Sequence, residues 1–229
     1  MNPANGNPLY VKGDGTLVQG NIDDQSYYVY NPEDPADLSQ PTSALNAATD
    51  RKILGTTQPK WFGGINNRLK FKNFDFELFL TFSGGNKIMN VTRQAGLGME
   101  FRNNHKEILN RWTPENPNTD VPRLYLNRSN FINLSSSATS RFVEDGDFLR
   151  VQNISLGYTV PAGALSSFAG GTLTNVRVYA QVRNAFVFTK YTGSDPELNS
   201  SNTTNSAFGV DNNTNPLLRT FTFGLNVGF

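Results

Sequence analysis

Residues 219–229 alternate strictly between two kinds of side chain. The apolar positions are Phe221, Phe223, Leu225, Val227 and Phe229, and the intervening positions are Thr, Gly or Asn. Because successive side chains in a strand point to opposite faces, this pattern predicts a strand with one apolar and one polar face. A strand that ends on an aromatic residue is typical of a transmembrane β-barrel, whose strands face lipid on one side and the lumen on the other. The alternative is the last strand of a soluble β-sandwich.

Four earlier segments show the same alternation, and a tight turn is predicted between the first two, at Lys72 and Asn73. They cover residues 60–71, 74–82, 148–160 and 175–188. Each is longer than the mean soluble strand of about 5 to 6 residues. Each is also long enough to provide the roughly 9 to 11 residues that cross a bilayer at a tilt. Strand length therefore favours the barrel, although Arg150 and Gln152 interrupt the alternation of the third segment.

Charged and amide side chains occupy the polar positions of two of these segments. Asp75 and Glu77 lie on one strand, and Arg177, Gln181 and Arg183 lie on another. In a barrel these side chains would face the lumen, where they could bind a plug or line the path of a ligand. The simpler interpretation is that they only hydrate a water-filled interior.

The segments outside these strands are predicted to be mostly loops. Residues 1–58 are rich in Asn, Asp, Pro, Gly and Ser, which indicates an extracellular-loop-rich part with short strands at 9–11 and 27–30. Residues 59–229 are predicted to hold the barrel strands and long outer loops. Within them, residues 106–112 have helical spacing, and residues 161–163 are predicted to form a turn.

Two groups of aromatic residues suggest further roles. Phe186, Phe188 and Tyr191 lie near one strand end and are predicted to form an interfacial girdle. A second set in the loops could stack on sugar rings or simply pack the loops. This set consists of Tyr27, Tyr28, Tyr30 and Tyr125.

Composition limits the chemistry that the chain can perform. It has 229 residues, a net charge of +1, no cysteine and a single histidine, His105. No combination of nucleophile, base and orienting group points to catalysis, and we expect no metal site, no cofactor and no nucleic-acid partner. The chain has no apolar run of the roughly 18 residues that would indicate a transmembrane helix. The first residues lack the features of a signal peptide, so we expect a fragment.

A series of segments resembles the SusC/RagA family of TonB-linked outer-membrane proteins over about residues 50–229. The first is Asp-Arg-Lys-Ile-Leu-Gly at 50–55, followed by Pro-Lys-Trp-Phe-Gly-Gly at 59–64. The next are residues 110–123 (NRWTPENPNTDVPR) and 141–158 (RFVEDGDFLRVQNISLGY). Residues 178–197 and the carboxy-terminal strand complete the series.

The resemblance implies a cell outer-membrane location and a barrel of about 22 strands with an amino-terminal plug. It implies import of oligosaccharides or peptides with a SusD-like surface lipoprotein, driven by TonB through a plug region missing from this chain. The strands would contact outer-membrane lipid, and the final aromatic strand would be recognised by the outer-membrane insertion machinery. The calcium-like loop common in the family is reduced here to residues 13–15, which argues against calcium. The alternative function is a soluble β-sandwich carbohydrate-binding module.

Overall fold

The computed structural model describes residues 1–98, 101, 103–125, 139–170, 172–197, 200 and 208–229. It forms two compact units, one of Met1–Gly55 with Met89–Val143 and one of Thr56–Ile88 with Glu144–Phe229. Short 3₁₀ helices cover Lys106–Asn110 and Ser140–Phe142. The α-helices are α1 (Val91–Gly96) and α2 (Ala162–Ala169). The strands are β1 (Leu9–Val11), β2 (Leu17–Asn21), β3 (Ser26–Val29), β4 (Pro41–Thr42), β5 (Trp61–Phe71), β6 (Phe74–Gly84), β7 (Lys87–Asn90), β8 (Val143–Asp145), β9 (Phe148–Thr159), β10 (Asn175–Thr189), β11 (Val210–Asp211) and β12 (Thr220–Gly228).

A five-stranded antiparallel sheet dominates the second unit. Its spatial order, β5-β6-β9-β10-β12, follows the order of the chain, so that β5 and β12 are its edges. The long connections, residues 85–147 and 190–219, both join the sheet at one end. The turn at Lys72 and Asn73 and the connection of residues 160–174 join it at the other end. The predicted tight turn between β5 and β6 is confirmed, and Lys72 adopts a φ of 53°.

The register gives the sheet two different faces. One row of paired residues runs across all five strands and contains Leu69, Phe76, Leu156, Ala180 and Phe223. Parallel rows add the remaining alternating apolar residues, and we call this surface the apolar face. Most of its large side chains are exposed: Phe223 is 82% exposed and Phe221 62%. A water-soluble sandwich would bury such a surface, because exposed apolar area of this size is costly in water.

A β-bulge explains why the alternation of the third segment is interrupted. Phe79 of β6 pairs with Asn153, and the next residue, Leu80, pairs with Val151, so Gln152 is an extra residue in β9. On the two sides of the extra residue, the odd-numbered and even-numbered side chains exchange faces. As a result Leu149 and Val151 lie on the same apolar face as Ile154.

The prediction of a turn at residues 161–163 is wrong, because the helix α2 begins there. Pro161 is the residue before the first helical turn, and its carbonyl accepts a hydrogen bond from Leu165 N at 3.0 Å. Proline suits this position because it has no N–H to leave unpaired. The helix ends at Gly170, whose φ of 56° is the left-handed conformation usual at this position.

The first unit contains a small antiparallel sheet of order β1-β2-β3-β4. Its core includes Val18 and Tyr27, which are 0% and 6% exposed. The buried Gln19 side chain accepts a hydrogen bond from Asn2 at 2.5 Å. The predicted short strands at residues 9–11 and 27–30 are present as β1 and β3. The helical segment predicted at 106–112 is a 3₁₀ helix, and it ends at Asn110.

Among the described residues, no helix is both long enough and apolar enough to cross a bilayer.

Candidate functional site

The polar face of the five-stranded sheet is centred on an ion pair between Asp75 and Arg177. Arg177 donates from Nε to Asp75 Oδ1 at 2.9 Å and from Nη2 to Oδ2 at 2.5 Å. The two residues lie on β6 and β10, which are separated by β9. They meet above Gly157 of β9, where a Cβ atom would lie 2.4 Å from Arg177 Nη2 and 2.5 Å from Asp75 Oδ1. The missing side chain of Gly157 therefore makes room for an ion pair between strands that are not neighbours.

An aromatic ring extends this arrangement towards the edge of the sheet. Tyr179 lies next to Arg177, with the guanidinium carbon 5.0 Å from the ring centre. The ring covers Gly224 of β12, where a Cβ atom would lie 2.2 Å from two ring carbons. Two glycines, Gly157 and Gly224, thus provide the space for a carboxylate, a guanidinium and a phenol ring on the polar face.

The other predicted polar residues lie on the same face. Glu77 accepts a hydrogen bond from Arg68 of β5 at 3.1 Å, and Gln181 donates to Asn153 of β9 at 2.6 Å. Arg183 forms no ion pair or side-chain hydrogen bond with the described part of the chain. The register therefore brings Asp75, Glu77, Arg177, Gln181 and Arg183 to one surface. Whether they bind a ligand or a plug stays a prediction.

Sequence reasoning missed a second polar cluster, which fixes the loop after β10 to the sheet. Arg150 donates from Nη2 to Asp195 Oδ1 and from Nε to Glu197 Oε2, both at 2.5 Å. The side chains of Arg150 and Asp195 are each 3% exposed. Asp195 also accepts from the backbone N–H groups of Glu197 and Leu217, at 3.0 and 3.3 Å. Paired buried charges of this kind hold a loop in one position, because breaking the pair leaves an uncompensated charge.

We call the contacts that hold this loop the loop anchor; they involve Arg150, Tyr191, Asp195, Glu197 and Asp211. Because Tyr191 belongs to the loop anchor, its predicted place in an interfacial girdle is wrong. It is 5% exposed, and its hydroxyl donates to Asp211 Oδ2 at 2.6 Å. Burial and the carboxylate of Asp211 raise the pKa of the Tyr191 phenol. Phe186 and Phe188 are 54% and 60% exposed, as a girdle requires.

Two sequence signals could have revealed the loop anchor. Arg150 is the only charged residue of β9, which marks it as a residue with a partner. The other signal is the Asp195-Pro196-Glu197 sequence after β10, which offers two carboxylates at a tight turn. The partners are 45 and 47 residues away from Arg150, so no local periodicity connects them.

The loops of the first unit show little that could bind a metal or a sugar ring. Among the described residues, no group of three His, Cys, Asp or Glu side chains is placed to hold a metal ion. The carboxylate of Asp50 accepts backbone hydrogen bonds from Asn46 at 2.7 Å and Gly13 at 2.9 Å, which lower its pKa. Tyr27 is buried and therefore cannot stack on a sugar. The Tyr125 hydroxyl donates to Asn7 Oδ1 at 2.6 Å.

Comparison with known proteins gives clear relatives, although no family model matches the chain. TonB-dependent receptor P3 of Formosa agariphila is 40% identical over 188 residues, which are 80% of this chain and 18% of that receptor. TonB-dependent receptor SusC of Bacteroides thetaiotaomicron is 29% identical over 170 residues, or 72% of this chain and 15% of SusC. The chain is similar to TonB-dependent receptors of the SusC/RagA family. It spans less than a fifth of the length of these relatives.

Solved structures support the same fold. The RagAB peptide importer in its closed-closed state superposes with a TM-score of 0.66 at 24% identity, covering 93% of this chain and 22% of the matched chain. The open-open state of RagAB gives a TM-score of 0.64 at 22% identity, covering 93% and 20%. The five long strands are therefore antiparallel strands of an outer-membrane β-barrel of the TonB-dependent receptor type. They form a partial barrel with two open edges.

Proposed function

We propose that this SusC/RagA-type chain forms the carboxy-terminal part of a TonB-dependent transporter in the cell outer membrane. The complete transporter imports oligosaccharides or peptides. The observation that carries the proposal is the two-faced sheet. Its apolar face is continuous across five strands and exposed, whereas its polar face holds paired charges and amides. A sheet of this kind suits a barrel whose apolar face contacts lipid and whose polar face contacts the water of the lumen.

The relatives support the transport class. All four relatives with clear similarity have the name TonB-dependent receptor, and one of the solved structures that superpose on this chain is a peptide importer, RagAB. By this relationship the transporter draws energy from TonB through an amino-terminal plug. It works with a SusD-like surface lipoprotein, and the insertion machinery recognises the strand that ends at Phe229. The two open edges of the sheet also favour a larger barrel, because unpaired backbone groups in lipid cost several kcal/mol each.

The alternative, a soluble carbohydrate-binding sandwich, has little support in the structure. A sandwich needs a second sheet against the apolar face. The side chains of that face in β12 are instead among the most exposed apolar residues of the chain.

The test uses the complete gene that contains this segment, with an affinity tag at a surface loop. We expect the tagged receptor to be extracted only by detergent from outer-membrane fractions, and to co-purify with a surface lipoprotein. We also expect a deletion strain to lose growth on one oligosaccharide or peptide mixture and to recover it with the intact gene.

Each part of the proposal has its own contradicting outcome. Recovery of the native receptor in the aqueous fraction without detergent would contradict the membrane location. A receptor that purifies alone under mild detergent would contradict the lipoprotein partner. Normal growth of the deletion strain on all oligosaccharides and peptides tested would contradict import of these nutrients.

A further inference from the structure

A small cleft in the first unit contains two arginine side chains. Its volume is about 240 Å³. It is lined by Arg111, Trp112, Thr113, Pro114, Arg123 and Leu124. This volume is below the roughly 300 to 1,000 Å³ of sites for drug-sized ligands. The cleft is therefore suited to a single chemical group rather than to a whole oligomer.

Hydrogen bonds hold the loop that carries Arg111 in a fixed shape. The backbone N–H of Trp112 donates to Val121 O at 2.9 Å, and Val121 is 0% exposed. The Asn116 side chain donates to the carbonyl oxygens of Asn110 and Arg111, each at 3.3 Å. The loop is thus ordered before any ligand arrives, which lowers the entropic cost of binding.

Aromatic rings and a backbone hydrogen bond orient Arg123. Its guanidinium carbon lies 5.6 Å from the Trp112 ring centre and 5.5 Å from the Tyr125 ring centre. Its backbone N–H donates to Gly6 O at 3.0 Å. A guanidinium that packs on an aromatic ring can still donate through the N–H groups at its edge. Arg123 is exposed, so these donors are accessible.

The guanidinium groups of the cleft lack carboxylate partners within the described part of the chain. Neither Arg111 nor Arg123 forms an ion pair with any described residue, although Glu115 and Asp120 belong to the same loop. By contrast, Arg93 in the same unit binds Glu107 through two hydrogen bonds, at 2.9 and 2.6 Å. Two guanidinium groups on a rigid loop, both without an acidic partner, favour an anion.

We propose that the Arg111–Arg123 cleft binds a carboxylate group of a ligand. A planar carboxylate fits the forked donors of arginine better than a neutral hydroxyl does. The carboxylate could come from an acidic sugar or from the end of a peptide. The inference does not depend on what the barrel transports, and it is tested by binding alone.

The test measures binding of small probes to the complete receptor in detergent by calorimetry. The probes are glucuronate and N-acetylglycine, each with one carboxylate, and glucose as the neutral counterpart. We expect at least one carboxylate to bind and glucose not to bind. We expect Arg111→Gln and Arg123→Gln each to weaken that binding by about tenfold or more, which is about 1.4 kcal/mol, since each variant removes charge-assisted hydrogen bonds to the carboxylate.

The matched control is Lys52→Gln, which removes an exposed positive charge of the same unit outside the cleft. It should leave the affinity unchanged. Because Arg123 also packs on Trp112, its variant is accompanied by a melting curve, and Arg111→Gln carries the test if Arg123→Gln unfolds. Binding of only glucuronate, or of only N-acetylglycine, identifies the source of the carboxylate. Equal binding of glucose, absence of binding by both carboxylates, or an equal loss in Lys52→Gln would overturn the proposal.

Discussion

Replacing Gly157 by alanine should separate Arg177 from Asp75 without breaking the sheet. The new Cβ would lie 2.4 Å from Arg177 Nη2 and 2.5 to 2.6 Å from the two carboxylate oxygens. These atoms are the ends of flexible side chains, so they can move aside while the backbone of β9 stays in place. The variant therefore removes an interaction between two residues that it does not itself alter.

The size of the interaction follows from its partial exposure. The side chains of Arg177 and Asp75 are 25% and 27% exposed. Exposed ion pairs contribute about 0.2 to 1 kcal/mol, and removing one partner of a buried pair costs about 3 to 5 kcal/mol. The pair on the polar face has two-point geometry but remains accessible to water. We therefore expect a coupling free energy of about 1 kcal/mol.

A double-mutant cycle measures this coupling. The single variants are Asp75→Asn and Arg177→Gln, and the cycle is repeated in the Gly157→Ala background. Denaturant unfolding of the complete receptor in lipid vesicles gives the free energies. We expect about 1 kcal/mol of coupling in the parent protein and close to zero with Gly157→Ala.

The control is Gly163→Ala, because a Cβ at that position would meet no heavy atom of the described residues within 4 Å, apart from its chain neighbours and the backbone of its own helix. The coupling should persist in that background. Equal coupling in the parent and in Gly157→Ala would refute the reasoning that Gly157 makes room for the pair.

Two further predictions concern the apolar face and the loop anchor. Phe223→Lys should destabilise the barrel by up to about 2 to 4 kcal/mol if it lies near the bilayer midplane, whereas Thr222→Lys should have little effect; similar losses in unfolding free energy would contradict this. Tyr191→Phe should lower the free energy of unfolding by about 1 to 3 kcal/mol, because it removes the hydrogen bond that the Tyr191 hydroxyl donates to Asp211. The pKa of Tyr191 is higher in the folded protein than in the unfolded chain. The neutral phenol therefore contributes fully to the free energy of unfolding below about pH 10, and this contribution is lost as the pH rises further. Melting temperatures from about pH 8 to 11 should therefore fall more steeply in the parent than in Tyr191→Phe, and parallel curves would contradict this.

Much of the sheet could be predicted because the side chains of a strand alternate between its two faces. The alternation in β6, β10 and β12 indicated their faces directly, and the register confirms that Asp75 and Arg177 share a face. The same reasoning failed in β9, because it assumes that every second residue stays on the same face along the whole strand. The extra residue Gln152 changes the parity, and only the pairing with Leu80 and Val151 reveals it.

The candidate sites were harder to predict because they depend on contacts between distant residues. The loop anchor joins Arg150 to Asp195, and no spacing rule connects two residues so far apart. The helix α2 was missed because the Pro161 signal marks both turns and helix starts. The contact of Arg177 with Asp75 also needs a gap at Gly157, which becomes visible only when three strands lie side by side.

Spin labels on β12 test most directly whether the sheet separates lipid from water. Labels are placed one at a time at Phe223 and Leu225 on the apolar face, and at Thr222 and Asn226 on the polar face, in the complete receptor in bilayers. We predict that the first two are accessible to oxygen dissolved in lipid and that the last two are accessible to a water-soluble relaxation reagent. Equal accessibility at all four positions, or the reverse order, would contradict a transmembrane sheet.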